Sequence, residues 1–134
     1  MAVTITTNTN YVLPNVAAVA AQTAMLGRGP VQTVTFNATE TFIDCTKGSQ
    51  FELTLTGNVA ALSAINPQDR QVISIRLIQD ATGSRTVTWN SWVWHSGTAP
   101  TLTTTAAHYD LVQGMWNATT SKWENIIAPV LDLS

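Results

Sequence analysis

From residue 31 onward, apolar and polar side chains alternate in short runs. Val34 and Phe36 alternate with Thr33 and Thr35. Phe51, Leu53 and Leu55 face one way, Glu52, Thr54 and Thr56 the other, and Ile73, Ile75 and Leu77 oppose Ser74 and Arg76. A period of two is the mark of a strand with one face buried. The polar stretch 80–85 contains Gly83, which accommodates a positive φ and lets the chain reverse. Val87 and Trp89 then share one face opposite Thr86 and Thr88, so residues 71–79 and 86–89 are expected to form a long hairpin, and Trp92 and Trp94 continue the alternation. Further strands are expected at 39–45, 109–116 and 122–127, with turns at Lys47–Ser49, Gly57–Asn58 and 117–121, and a connection over 59–70 closed by Asn66-Pro67. About seven or eight short strands with a turn every 8 to 12 residues predict an all-β body over 31–128, a single antiparallel β-sandwich of jelly-roll type.

The two ends read differently. Val3 and Ile5 alternate with Thr, and Tyr11 and Leu13 lead to Pro14. Asn15 is a good N-cap and Gly27 a good stop, and Val16, Val19, Ala20 and Thr23 share a stripe between them, so a short helix is expected inside an otherwise extended arm. Gly27-Arg28-Gly29-Pro30 breaks the chain between this arm (1–30) and the body. The arm, including Met25 and Leu26, either supplies an element to a neighbour or covers the body's own flank. Residues 129–134, with Val130, Leu131 and Leu133 after Pro129, form a tail that reads as a second docking segment.

Composition sharpens the picture. Only 10 % of the 134 residues are charged, against about 25 % in an ordinary soluble domain. Neutral polar groups, chiefly Thr, take their place. Such a surface is cheap to desolvate, which points to large protein–protein contacts. A net charge of −2 with no basic stripe argues against nucleic acid or an anionic membrane as direct partner. Cys45 is the single cysteine, so no intrachain disulfide is possible, and its neighbours Phe42 and Ile43 suggest a buried thiol. No run of about 20 apolar residues exists, and the N-terminus lacks the basic and apolar regions of a signal peptide, so synthesis and use in a reducing cytoplasm, or release by lysis, are expected.

Candidate chemistry is sparse. His95 and His108 are the only histidines and lie in no zinc-ligand spacing. No Gly-x-Ser-x-Gly elbow is present. No cofactor, metal or enzymatic activity is expected. Asp80 and Arg85 flank a turn and read as a stabilising pair. Of five tryptophans, Trp89, Trp116 and Trp123 fall in alternating contexts that suit a core, whereas Trp92 and Trp94, beside His95, suit contact. Asn37 and Asn117 begin Asn-x-Thr sequons, which carry no meaning without a secretory signal.

The run Gln79-Asp-Ala-Thr-Gly-Ser-Arg-Thr-Val-Thr-Trp89, followed by Trp94 and by Gly97-Thr-Ala-Pro-Thr-Leu-Thr103, resembles a module found in virion proteins of tailed bacteriophages. Phe51–Val59 is similar to the module's preceding strand and turn, and Lys122-Trp123 to its closing strand, so the likeness spans residues 33–128. Where the module usually carries proline, this chain has Asn90 and His95. The resemblance implies a structural protein of the virion: a capsid decoration protein, trimeric, on the outer capsid surface, clamping the major capsid protein with its arms. After it, as second and third readings, come a tail-fibre or tail-tip module that recognises host glycans and a minor neck or tail-completion protein. Under these readings the candidate contact residues are Val3, Ile5, Tyr11, Leu13, Met25 and Leu26 in the arm, Trp92, Trp94 and His95 in the loop, and Val130, Leu131 and Leu133 in the tail.

Overall fold

A computed structural model of the chain describes residues 30–134. The arm candidates Val3, Ile5, Tyr11, Leu13, Met25 and Leu26 and the expected helix after Asn15 lie outside the described residues. The rest is all-β. Ten strands follow in order: β1 (Gln32–Thr33), β2 (Thr41–Asp44), β3 (Gln50–Leu55), β4 (Val59–Ile65), β5 (Val72–Gln79), β6 (Val87–Trp89), β7 (Trp92–Val93), β8 (Tyr109–Asn117), β9 (Lys122–Asn125) and β10 (Val130–Leu133).

Successive strands up to β7 alternate between two sheets. The odd strands β1, β3 and β5 lie side by side in a seven-stranded sheet, and β2, β4 and β6 form a second sheet of three. Each of β3 to β6 therefore pairs in parallel with the strand two positions earlier, as in Gln32 with Phe51, Gln50 with Ser74, and Thr41 with Leu62, whereas β7 pairs in parallel with β9. Up to β6 the chain winds as a coil rather than folding back in hairpins. Five of the eight strand pairings are parallel and three antiparallel, so the all-β expectation holds, while the sheets are mixed rather than wholly antiparallel. The three antiparallel pairings all involve β8, which inserts between β5 and β9 and carries β10 along the rest of its edge.

Two local expectations change with the winding. Residues 71–89 are not a hairpin, because β5 and β6 belong to different sheets. Residues 59–70 are not only a connection, because β4 occupies their first half. Leu62 and the adjacent Ser63 are both buried there, so the alternation that marks a strand is missing. The coils meet in one core. Ile43, Cys45, Val59 and Leu62 come from or adjoin the smaller sheet, and Phe51, Leu53, Leu55, Ile73, Ile75 and Leu77 from the larger. Burial pushes the Cys45 thiol up to about 12.

Buried polar side chains hold the corners of the coil. The Gln71 amide donates to the carbonyls of Cys45 at 2.9 Å and Gly48 at 3.2 Å, and accepts from the Gln68 N–H at 3.0 Å. It thereby satisfies backbone groups that would otherwise be buried unpaired. Asn37 and Asn117 each accept backbone N–H bonds two and three residues on, the local pattern that lets Asn close turns.

Candidate interaction surface

The distinctive run 79–89 forms a bracket between the sheets. Arg85 Nε donates to both carboxylate oxygens of Asp80 at 3.1 Å, and its Nη2 donates to Oδ2 at 2.8 Å. Asp80 Oδ1 also accepts the Thr82 and Gly83 N–H groups at 3.0 Å. The Arg85 hydrogen bonds, with help from those two backbone N–H groups, hold the Asp80 carboxyl below its ordinary value and raise Arg85 in turn. Gln79 closes the bracket, donating to Arg85 O at 3.0 Å and accepting from Arg85 N at 2.8 Å. At Gly83, φ is +74°, and a Cβ there would stand 2.4 Å from the Thr104 carbonyl oxygen. The turn is thus pressed against the loop before β8, to which Ser84 N also donates through Thr104 O at 3.0 Å. Asp80 and Arg85 are structural, and serve a crossover rather than a hairpin.

Past the bracket, β6 ends in the smaller sheet and β7 begins in the larger only two residues later. Ser91 makes the step with φ of 62°, and its carbonyl accepts the Trp123 N–H at 2.8 Å. The five tryptophans line this seam as one connected array. Trp89 meets Trp92 and Trp94 edge-on at 5.0 and 4.9 Å, Trp92 stacks on Trp94 at 5.2 Å and on Trp123 at 5.8 Å, and Trp116 tilts against Trp123 at 5.3 Å. Such centroid separations are those of favourable aromatic pairs. Gly114 makes room for the array: a Cβ there would lie 2.5 Å from the Trp92 ring. The indole N–H groups of Trp89 and Trp123 are buried without a hydrogen-bond partner, a cost that the packing of the array has to offset.

Trp92 and Trp94 therefore part company. Trp92 packs against the core, whereas Trp94 and the exposed His95 line a shallow cleft of about 90 Å³ with Ser96, Pro100, Asn125 and Pro129. The tail lies beside them, built into the sheet as β10 instead of hanging free. Asp110, fully buried, accepts Thr103 N at 2.8 Å and Asp132 N at 2.9 Å. Asp132, at φ of 60°, takes the Thr103 hydroxyl at 2.6 Å and His108 Nδ1 at 2.9 Å on one oxygen. Thr103 and then His108 hold its carboxyl below the ordinary range. Because the Thr103 hydroxyl donates to the carboxylate and not to the imidazole, the cluster lacks the nucleophile–base bond of covalent catalysis.

Among the described residues, seven large apolar side chains are exposed, and five of them (Val93, Ile126, Ile127, Val130 and Leu131) lie along the border formed by β7, β9 and β10. Single exposed apolar residues are ordinary, whereas their concentration on one border makes that border the candidate interaction surface. Of the sequence candidates, Val130 and Leu131 fall here, half-buried Trp94 and exposed His95 line the cleft beside it, Leu133 is half-buried, and half-buried Trp92 packs against the core. Val93, Ile126 and Ile127 were missed, although the apolar pair that follows Asn125 and breaks the alternation was a usable signal.

Among the described residues no group of three or more His, Cys, Asp or Glu side chains could hold a metal ion, and no helix is long and apolar enough to cross a membrane. Comparison with protein-family models, curated proteins and solved structures finds no match to this chain.

Proposed function

We propose that this chain is a non-enzymatic structural protein of a tailed-phage virion: a capsid decoration protein that binds the outer shell as a trimer, with the major capsid protein as partner. The observation that carries the reading is the exposed apolar border of β7, β9 and β10, set in a chain with few charges. Desolvating such a border costs little, and its open strand edges can accept a partner's strand. A protein that binds the assembled shell and not the free subunits stabilises the shell by mass action. The resemblance of residues 79–103 to a virion module supports the same assignment.

The Trp94–His95 cleft favours a second reading, a tail-fibre or tail-tip module that recognises host glycans, since an indole face beside Asn and Ser side chains suits a sugar ring. Labelling purified virions with a gold-tagged antibody against this chain separates the two. Gold over the whole head is the expected result, and gold confined to the tail end transfers the assignment to the glycan module. Particles without gold overturn the virion reading.

A further inference from the structure

A second cleft, of about 220 Å³, lies between the end of the bracket with the start of β6 on one side and the segment 100–104 on the other. Pro100 lines both this cleft and the smaller one beside Trp94 and His95, so the two adjoin. Ser84, Thr86, Thr101 and Thr104 each bring an exposed side chain to the larger cleft. Backbone bonds fix its walls, through Ser84 N to Thr104 O at 3.0 Å and Thr86 N to Asn58 Oδ1 at 3.0 Å, but the four hydroxyls find no hydrogen-bond partner among the described residues. Arg85 lines the same cleft and adds a donor. Its Nε and Nη2 are taken up by Asp80, which leaves Nη1 without a partner among the described residues and holds the guanidinium in place. Ser84 also stands at φ of 59°, directly after Gly83 at 74°, a region that only glycine enters without strain. Strained backbone of this kind occurs at ligand clamps.

The lining selects the chemistry of the ligand. Arg85 is the one charged residue on the cleft, and Asp80 already neutralises it at 2.8 Å, so an anion gains little there. Each hydroxyl both donates and accepts, which suits a ligand that is itself made of hydroxyls. Val87 and Pro100 offer apolar surface for the C–H face of a ring. The volume falls below the roughly 300–1,000 Å³ of sites for drug-sized ligands and matches a single six-membered ring. We propose that this cleft binds one neutral hexopyranose unit. Ser84, Thr86, Thr101, Thr104 and Arg85 Nη1 supply the hydrogen bonds, and Val87 and Pro100 the apolar floor. Because these groups are placed before the sugar arrives, little ordering opposes binding. The site is distinct from the Trp94–His95 cleft and does not depend on whether the chain sits on the head or at the tail.

An NMR titration of the isotope-labelled full chain with the methyl glycosides of glucose, galactose, mannose and N-acetylglucosamine, and separately with sodium sulfate, tests this. At least one glycoside is expected to shift the amides of 84–87 and 101–104 saturably in the millimolar range, and sulfate is expected to leave them unmoved. Thr86→Val with Thr101→Val, which deletes two hydroxyls at nearly constant shape, is expected to weaken that affinity about ten-fold. Thr86→Ser with Thr101→Ser should retain it, and so should Thr54→Val on β3, outside the cleft. If the valine pair disturbs the fold, seen as altered amide positions across β3 and β5, Ser84→Gly is read instead; it removes a hydroxyl while relieving the positive φ, and weaker binding is again expected. The proposal is overturned if no glycoside gives a saturable shift, if shifts fall only at 94–98 and 125–129, if sulfate binds in place of sugar, or if the hydroxyl deletions leave affinity unchanged.

Discussion

At one end of the seven-stranded sheet β1 pairs only Gln32 and Thr33 with its neighbour, and the coils behind it keep Phe51, Leu53, Leu55, Ile73, Ile75 and Leu77 inside. At the other end β7, β9 and β10 turn Val93, Ile126, Ile127, Val130 and Leu131 outward and hold a seam of stacked tryptophans behind them. The first region keeps its large apolar side chains inside, Val31 excepted, and relies on parallel register. The second spends apolar surface on the exterior and rigidifies it with rings, a glycine that fits one ring, and a carboxylate that ties down the last strand. The difference separates a buried scaffold from the border proposed as a contact surface.

Mutations should divide along the same line. Leu53→Ala, deep in the coil core, is expected to cost about 2–5 kcal/mol in urea unfolding. Gly114→Ala should cost about 1–3 kcal/mol, because the added methyl overlaps the Trp92 ring and forces the seam apart. It should also alter the near-ultraviolet circular dichroism of the stacked indoles. A cost near zero there would show the seam to be loosely packed.

These contrasts bear on what the sequence made legible. Strict alternation in β3 and β5 told which side chains face the core, since Leu53 and Ile75 could only point one way. It could not tell which strand lies beside which, because the pleat is the same in parallel and antiparallel pairs. The polar run 80–85 with its glycine suits a hairpin turn equally well, and only the Asp80–Arg85 bracket and the close approach of Gly83 to Thr104 O make it a crossover. Val59-Ala-Ala-Leu-Ser-Ala-Ile lacked a period and hid β4. In the contact region, Trp92 and Trp94 share the same parity, so nothing local separated the ring that packs inward from the one beside the cleft.

A smaller effect is expected from acid. The Asp132 carboxyl lies below its ordinary value of 3.8, so the stability that it contributes is fully present above that pH and is lost as pH falls through the depressed folded value. Asp132→Asn should therefore narrow the gap to the parent chain only on the acid limb of a stability–pH profile and leave a constant difference at neutral pH. A gap that opens between pH 6 and 8 instead would assign the titration to another group. The smallest effect belongs to the border itself: Ile127→Asp is expected to change unfolding stability by less than about 0.5 kcal/mol, as surface substitutions do.

The most direct measurement combines Ile127→Asp with Leu131→Asp and follows binding of the full chain to phage heads from which the protein has been removed. The account predicts at least a ten-fold weaker affinity with an unchanged melting temperature. Undiminished binding by a chain that is folded normally would contradict the assignment of this border as the contact surface.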